Sequence, residues 1–317
     1  MNTVRTAVIG TGYLGKYHVD KFAVLSQSKL VAICDIDANH TEELSEKYSV
    51  NATHDYRSLI NQVDAVSIAT PTPLHAEIAK FFLNHNIHVL IEKPITTTVE
   101  EADELIQLAK KNKLILQVGH LERFNPALQS VHSLLCKPRF IESQRLAPFK
   151  LRGSDVSVIL DLMIHDIDIV LSLVNSSIAE IRATGSSVLT PLIDIANARI
   201  EFDNGCVASV TASRINSTSE RRLRIFQNDG YFNIDMHRNL CHIRRKAETE
   251  MFPGVPNIEL EEKLCEKGDA LKEEINAFLN AIIHQTPPTV SGQAARDALA
   301  VAMKISTIIA DNNAKYT

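Results

Sequence analysis

The sequence predicts an α/β domain with a doubly wound parallel sheet, followed by an α+β domain built on a large, mostly antiparallel open sheet. Its 317 residues suit two domains better than one. In the first 120 residues, short apolar strands alternate with amphipathic helices, which is typical of a parallel α/β sheet. Residues 178–246 show almost no helical periodicity. We therefore predict a first domain over residues 1–121 and a second over 122–317, whose last helix is a candidate to pack back on the first.

The elements of the first domain follow from local residue patterns. Its predicted strands are short apolar runs with β-branched residues: Thr6–Ile9, Leu30–Cys34, Ala65–Ala69, His88–Ile91 and Leu114–Val118. The predicted helices between them are Gly15–Leu25, Thr41–Tyr48, Pro73–Asn84 and Thr98–Asn112.

The second domain opens with a predicted helix near Pro126–Leu135. Six alternating segments are its predicted strands: Phe140–Leu146, Ile178–Thr184, Ala198–Phe202, Cys206–Ala212, Leu223–Gln227 and Tyr231–Asp235. Three further helices are predicted at Leu160–Val174, Asp269–His284 and Ser291–Ala310.

Composition and charge exclude several classes of protein. Hydrophobic residues make up 45% and charged residues 22%, the balance of a globular protein with an ample core. The net charge of −5 implies no general affinity for nucleic acid or anionic membranes. No apolar run approaches the roughly 20 residues of a membrane helix. The N-terminus enters a strand and a glycine turn directly, so we expect no signal peptide.

The cysteines indicate a reducing compartment. There are five of them: Cys34, Cys136, Cys206, Cys241 and Cys265. They are far apart and never form a CxxC pair, which fits reduced thiols and a cytoplasmic location. A metal set of His237, Cys241 and His242 lacks a fourth ligand at suitable spacing, so we predict no metal site.

The first crossover carries the segment GTGYLG directly after an apolar strand and at the start of a helix. In this context the GxGxxG spacing predicts a dinucleotide-binding Rossmann turn. Gly10 permits the tight turn, Gly12 lets the backbone approach a pyrophosphate, and Gly15 lets helix and strand pack closely. The intervening Tyr13 and Leu14 belong to the predicted cofactor contact.

The next strand ends at Asp35, twenty residues after Gly15, where a carboxylate can hold the adenosine ribose hydroxyls. The segment Ile36–His40 contains no Lys or Arg and adds a second carboxylate, Asp37. A 2′-phosphate would meet repulsion there, so we predict NAD rather than NADP. The alternative is a glycine turn followed by a solvated loop aspartate.

Two more strand ends border the same edge of the predicted sheet. Thr70 and Pro71 are expected to contact the cofactor, and His75 to cap the next helix or contact ribose. A purely structural turn is an equal alternative for these residues. At the following strand end, Glu92 is expected in cofactor contact and the ammonium of Lys93 beside the nicotinamide. The alternative is an ordinary solvated strand end.

The predicted helix Leu160–Val174 has a narrow polar stripe. Four side chains share an arc of about 60°: Asp161, His165, Asp168 and Ser172. Apolar residues occupy most of the remaining circumference, with Asp166 as the main exception. Burying ionisable groups costs several kcal/mol unless they are paired or functional. A carboxylate four residues before an imidazole is the arrangement expected of a general base, and a buried structural pair is the alternative.

Together these features resemble the glucose–fructose oxidoreductase / inositol dehydrogenase (Gfo/Idh/MocA) family over essentially the whole chain. The specific part is EKP followed by DxxxH, at residues 92–94 and 161–165. The resemblance implies that Lys93, Asp161 and His165 meet over the nicotinamide of NAD and form the catalytic trio. His165 is then expected to take the proton of a sugar hydroxyl, Asp161 to orient it, and Lys93 to hydrogen-bond the same oxygen.

Three longer segments carry a finer resemblance: GHLERFNPA, RLAPFKLRGSDVSVILDLMIHDIDIVLSLV and DIANARIEFDNGCVASVTASRI. They are similar to family members that oxidise the 3-hydroxyl of UDP-N-acetylglucosamine with NAD, ahead of an amination on a route to amide-linked lipid A. A diphosphate needs cations, and the candidates are Arg123, Arg145, Lys150 and Arg152. Asn125 is also expected at the substrate. A solvated basic loop is an equal alternative.

Two other functions stay open. One is a dehydrogenase of a free polyol or sugar such as myo-inositol. The other is a non-catalytic regulator that binds NAD and a sugar, against which the complete trio argues. The family likeness also implies homodimers or homotetramers joined through the sheet of the second domain.

Overall fold

The computed structural model describes residues 3–151 and 153–315. The chain forms two compact units. The first runs to Leu121 and also includes Asp269–Leu299, while the second comprises Glu122–Gly268 and the chain from Ala300 onward. The sequence predicts everything after residue 121 in one domain, whereas the structure groups residues 269–299 with the first unit.

The first unit contains six strands: β1 (Val4–Ile9), β2 (Ser28–Cys34), β3 (Asn51–Thr53), β4 (Ala65–Ile68), β5 (His88–Ile91) and β6 (Leu116–Val118). Its first helices are α1 (Gly15–Val24), α2 (Ala38–Tyr48), α3 (His75–Asn84) and α4 (Val99–Lys111). All strand pairs are parallel, in the order β3-β2-β1-β4-β5-β6. This order confirms the predicted doubly wound Rossmann sheet. The sequence missed β3, a short edge strand of largely exposed residues.

The second unit contains eight strands: β7 (Phe140–Leu146), β8 (Ile178–Ser186), β9 (Ile195–Phe202), β10 (Val207–Ser213), β11 (Glu220–Gln227), β12 (Gly230–Asp235), β13 (Leu240–Phe252) and β14 (Val255–Leu264). They form one sheet in the order β14-β13-β12-β11-β7-β10-β9-β8. Every pair is antiparallel except β7 with β10, which confirms the predicted mostly antiparallel sheet. The sequence missed the hairpin of β13 and β14, because its outer residues are exposed and lack apolar alternation.

The remaining helices are α5 (Pro126–Val131), α6 (Ile164–Leu173), α7 (Ala270–His284) and α8 (Gly292–Asn313). The chain after α5 continues as a 3₁₀ turn at His132–Leu134, where the sequence predicts one longer helix. The division between the two units falls inside α8. No helix in the described part of the chain is long and apolar enough to cross a membrane.

Apolar packing explains why α7 belongs to the first unit. Phe278 and Leu279 are fully buried in the same cluster as Val8 and Leu90. Burying a large apolar side chain contributes about 1.5–3 kcal/mol. The apolar face of α7 is therefore part of the core that covers the parallel sheet.

The helix with the polar stripe does not begin as an α-helix. A π turn at Ile159–Met163 precedes α6, whereas the sequence predicts one α-helix over Leu160–Val174. A π turn closes its hydrogen bonds one residue later than an α turn. The angle expected between Asp161 and His165 at 100° per residue therefore does not apply across this junction.

Candidate active site

The glycine turn lies between β1 and α1. Gly10 has a φ of +85°, and a Cβ there would lie 2.8 Å from the backbone of Ala69 and of Thr70. A Cβ on Gly15 would lie 1.8 Å from the carbonyl oxygen of Gly10. A Cβ on Gly12 would meet nothing within 4 Å. The protein itself thus requires the first and third glycines, whereas Gly12 leaves the backbone open to a ligand such as a pyrophosphate.

Asp35 is held rigidly at the end of β2. Its Oδ2 accepts hydrogen bonds from the N–H of Thr11 at 2.6 Å and from the Thr11 hydroxyl at 3.1 Å. Its Oδ1 accepts one from the N–H of Asp37 at 3.0 Å. Burial alone would raise the pKa of Asp35, but these hydrogen bonds outweigh it and lower the pKa. The charged carboxylate therefore fits the hydroxyls of an adenosine ribose.

A cavity of about 360 Å³ opens beside the glycine turn, lined by Thr11, Gly12, Tyr13, Lys16, His40, Glu43 and Leu44. The ammonium of Lys16 lies 5.4 Å and 5.2 Å from the ring centroids of Tyr13 and Tyr17. Leu14, half-buried, immediately precedes α1. Residues 36–40 contain no Lys or Arg, but the fold brings Lys16 to the cavity that His40 also lines.

His75 has a structural role in place of the predicted ribose contact. The side chain is 1% exposed, and its ring nitrogens lie 2.8 Å from the carbonyl oxygen of Thr70 and 2.9 Å from that of Pro94. Burial lowers the pKa of His75, so the ring is neutral and donates its one N–H to one of these two carbonyl oxygens. The helix α3 has no side-chain cap. His75 instead ties the Thr70 turn to the turn of Lys93 and Pro94, whose peptide bond is cis.

The turn at Thr70 contains a buried hydroxyl oxygen that is available to a ligand. The Oγ1 of Thr70 is buried and has no hydrogen-bond partner within the described residues. The next residue, Pro71, is exposed. Since buried hydroxyls are normally hydrogen-bonded, this turn fits the predicted cofactor contact.

Glu92 also has a structural role in place of a cofactor contact. It is 6% exposed, and its Oε1 lies 2.9 Å from Nε2 of His18. The other ring nitrogen of His18 lies 2.8 Å from the hydroxyl oxygen of Ser67. Oε2 of Glu92 accepts the N–H of Lys93 at 3.1 Å. This network fixes the backbone at Lys93. The sequence feature that indicates it is His18, a histidine on the apolar face of α1.

The four ionisable residues around α6 fall into two pairs by exposure. Asp161 and His165 are half-buried, whereas Asp166 and Asp168 are 0% and 1% exposed. A group that exchanges a proton with a substrate needs such access. Lys93 is half-buried and belongs to the first unit, and the other two members of the trio belong to the second. Their meeting over a nicotinamide stays a prediction.

Buried ion pairs explain the two inaccessible carboxylates. Arg123 donates two hydrogen bonds to Asp168, at 2.6 Å and 2.9 Å. Arg145, which is 3% exposed, donates from Nε to Asp166 at 2.5 Å. Neither guanidinium is the solvated loop cation that the sequence offers as an alternative, because both are paired with carboxylates of α6. The diphosphate contact suggested for them stays a prediction. Asp168, a member of the polar stripe, is paired with Arg123. Both arginines anchor the helix that carries His165.

Asn125 is a helix cap. Its side-chain oxygen accepts the N–H of Ala127 at 3.0 Å, and its side-chain nitrogen donates to the carbonyl of Met236 at 3.0 Å. This capping replaces the substrate contact predicted for Asn125. Of the other candidate cations, Lys150 is exposed, and Arg152 lies outside the described residues.

Comparisons with known proteins agree with this architecture. A family model described as an oxidoreductase family with an NAD-binding Rossmann fold matches residues 4–120, and the GFO/IDH/MocA C-terminal domain matches residues 129–233. UDP-N-acetylglucosamine 3-dehydrogenase of Acidithiobacillus ferrooxidans is 39% identical over 307 residues, covering 96% of this chain and 97% of that protein. Myo-inositol 2-dehydrogenase of Thermotoga maritima is 26% identical, covering 93% of each chain.

Solved structures show the same fold. A crystal structure of the Acidithiobacillus ferrooxidans enzyme superposes with a TM-score of 0.90 at 38% identity, covering 98% of both chains. Scyllo-inositol dehydrogenase of Lactobacillus casei, solved with NAD(H) and scyllo-inositol, superposes with a TM-score of 0.81 at 19% identity, covering 98% of both chains. At that lower identity the likeness supports the fold alone.

Proposed function

Because the chain belongs to the GFO/IDH/MocA family of NAD-binding oxidoreductases, we propose that it oxidises the 3-hydroxyl of UDP-N-acetylglucosamine, with NAD as hydride acceptor. The protein is an NAD-dependent dehydrogenase acting on CH–OH groups. The observation that carries the substrate proposal is the 39% identity to UDP-N-acetylglucosamine 3-dehydrogenase over 96% of the chain.

In this proposal, His165 accepts the proton of the sugar hydroxyl. Asp161 orients the imidazole and raises its basicity. Lys93 hydrogen-bonds the reacting oxygen and stabilises the charge that develops there. NAD, held by the glycine turn and Asp35, supplies the hydride-accepting chemistry when bound. The hydrogen bond that the N–H of Lys93 donates to the buried carboxylate of Glu92 supports the proposal, because it fixes the turn that presents the ammonium.

A second candidate is a dehydrogenase of a free polyol such as myo-inositol. The observation that favours it is the engagement of Arg123 and Arg145 in internal ion pairs. Neither guanidinium is then available for a diphosphate, and among the described candidates only Lys150 is exposed. A free polyol needs no such cation.

The substrate experiment compares UDP-N-acetylglucosamine, N-acetylglucosamine and myo-inositol, each with NAD, by the absorbance of NADH formed. We expect the nucleotide-sugar to have a kcat/KM at least about tenfold above either other compound, because a relative 39% identical over 96% of this chain is UDP-N-acetylglucosamine 3-dehydrogenase. Turnover of myo-inositol alone would support the second candidate. Binding of NAD without turnover of any compound would support a regulator.

Lys93→Met tests the catalytic trio. Loss of a donor to the reacting oxygen should lower kcat by about 10²–10³-fold and leave NAD affinity nearly unchanged, since Asp35 and the glycine turn lie at the other end of the cofactor. The matched control is Lys29→Met, an exposed lysine near the start of β2, which should keep native kcat. Near-native turnover of the Lys93 variant would contradict the assignment.

We also propose a cytoplasmic location, a homodimer or homotetramer joined through the sheet of the second unit, and a place in lipid A synthesis. The five cysteines are free thiols, which supports a reducing compartment. Light scattering of the purified protein tests the oligomer, and a monomeric mass would contradict it.

A further inference from the structure

Three strand ends of the second unit lie together beside the loop that leads to α6. Ser213, the last residue of β10, pairs with Leu146 of β7 on one side and with Ile195 of β9 on the other. The loop after β7 (described at residues 147–151 and 153–157) and the loop before β9 (residues 187–194) therefore meet at this edge of the sheet.

A buried ion pair joins these loops. Arg214, 4% exposed, donates from Nε to Oδ1 of Asp194 at 2.7 Å, and Asp194 is 0% exposed. Oδ2 of Asp194 accepts the backbone N–H groups of Val188, Leu189 and Thr190 at 2.8, 2.6 and 2.9 Å. Burial alone would raise the pKa of Asp194, but these N–H groups and the guanidinium hold it far below its usual range. The pair is therefore charged at neutral pH.

The outer end of the guanidinium binds the other loop. Nη1 of Arg214 donates to the carbonyl oxygen of Gly153 at 2.7 Å and to that of Val156 at 2.5 Å. Two residues later, the N–H of Val158 donates to the carbonyl of Ile193 at 2.9 Å. The segment just before the π turn is thus held at three backbone positions.

Gly153 lies directly against the carboxylate of Asp161. Its φ is +79°, and a Cβ placed on it would lie 3.0 Å from Oδ2 and 3.4 Å from Cγ of Asp161. Only a residue without a side chain fits there unless the carboxylate moves. A side chain at residue 153 would press on the carboxylate, so the Gly153 turn leaves the space in which Asp161 lies.

We propose that Arg214 and Asp194 are positioning residues for the oxidation. They hold the Gly153 turn against Asp161 and so set the orientation of the carboxylate beside His165. The proposal rests on the role proposed above for Asp161. In it, Arg214 and Asp194 support the site without contacting the substrate.

The decisive comparison is Gly153→Ala with Gly254→Ala. Gly254 has a φ of +78° and nothing within 4 Å of a Cβ, so both variants bear the same backbone strain and only the first displaces Asp161. We expect Gly153→Ala to lower kcat about 10- to 100-fold, because small misplacements of reacting groups have effects of this size. NAD affinity should stay within about twofold, and Gly254→Ala should keep native kcat.

The pH profile separates positioning from a general structural effect. A neighbouring carboxylate favours the protonated imidazole, so its displacement lowers the pKa of the general base. The acidic limb of the kcat profile should therefore shift to lower pH in Gly153→Ala. A loss of folded enzyme would reduce kcat without that shift. Arg214→Lys keeps a positive charge beside Asp194. Its single ammonium cannot bond Asp194 and the carbonyls of Gly153 and Val156 in the geometry of the planar guanidinium. This variant should therefore shift the acidic limb in the same direction.

Asp161→Asn distinguishes a failure of the role proposed for Asp161 from a failure of the positioning role proposed for Arg214 and Asp194. If Asp161→Asn has native turnover and pH profile, the proposed role of Asp161 fails. If Asp161→Asn is impaired while Gly153→Ala matches Gly254→Ala in kcat and pH profile, the positioning proposal is overturned. Should Arg214→Lys fail to fold, the two glycine variants decide alone.

Discussion

Replacing Asp166 by asparagine should strongly destabilise the protein. Asp166 is 0% exposed and accepts hydrogen bonds from Nε of Arg145 at 2.5 Å and from the hydroxyl of Ser143 at 2.6 Å. The other end of Arg145 donates to Glu122 at 2.8 Å, and Glu122 also accepts from Arg221 at 3.0 Å. Two carboxylates thus balance two guanidiniums. Neutralising one carboxylate leaves an unbalanced positive charge where water has little access.

The expected magnitude follows from the burial of this cluster. Arg145 cannot relieve the imbalance by losing a proton, because a guanidinium stays charged in proteins. Removing one partner of a buried ion pair costs about 3–5 kcal/mol. Asparagine still offers an oxygen to Ser143, so we expect the lower end, about 3 kcal/mol. That is a large share of the roughly 5–15 kcal/mol that stabilises a typical protein.

Urea denaturation followed by circular dichroism measures the loss. Asp155→Asn, at an exposed position in the loop before α6, is the matched control and should change the free energy of unfolding by no more than about 0.5 kcal/mol. Combining Asp166→Leu with Arg145→Met removes both charges and should recover much of the loss. A destabilisation of Asp166→Asn below about 1 kcal/mol would refute the reasoning, because the pair would then contribute no more than a surface salt bridge.

Three further outcomes are expected. Asp35→Ser should weaken NAD binding about tenfold or more and narrow the preference over NADP, measured as kcat/KM for both cofactors, because a charged hydrogen-bond partner contributes about 1.5–3 kcal/mol. Gly15→Ala should lower the melting temperature and abolish NAD binding, since its Cβ would lie 1.8 Å from a carbonyl oxygen; Gly12→Ala should weaken NAD binding at an unchanged melting temperature. Because the pKa of Asp194 is lowered in the folded state, its contribution to stability is present above the unfolded pKa of about 3.9 and is lost as pH falls below it. The free energy of unfolding of the wild type should therefore fall more steeply below about pH 4 than that of Asp194→Asn, and equal slopes would contradict this.

Strands in both units could be predicted from local patterns. The bounds predicted for the strands His88–Ile91 and Phe140–Leu146 coincide with β5 and β7. In β5 the buried residues are apolar, whereas β7 buries Ile141, Ser143 and Arg145, so its period of two marked the strand although its buried face is largely polar. The GxGxxG turn could also be predicted from the sequence, because Gly10 and Gly15 are required by contacts within a few residues or at the adjacent strand end.

The hairpin of β13 and β14 could not be predicted in this way. Its outer positions are exposed on both faces, so neither periodicity nor apolar content marks them as strand. The same limit applies to the π turn at Ile159–Met163, whose sequence is as compatible with an α-helix.

The sequence by itself determined the doubly wound character of the first sheet and the glycine turn, because apolar runs and the GxGxxG spacing are local patterns in the chain. The trio of Lys93, Asp161 and His165 stays a prediction from the family resemblance. Only the tertiary structure decided which charged side chains are inside. The sequence suggests Arg145 as a diphosphate ligand or a solvated loop cation and contains no signal for Arg214, yet the two are 3% and 4% exposed. Each is matched by a buried carboxylate, 21 and 20 residues away respectively. A charge can leave water only where such a partner offsets its desolvation, and that partner is supplied by strand pairing and helix packing rather than by spacing in the sequence.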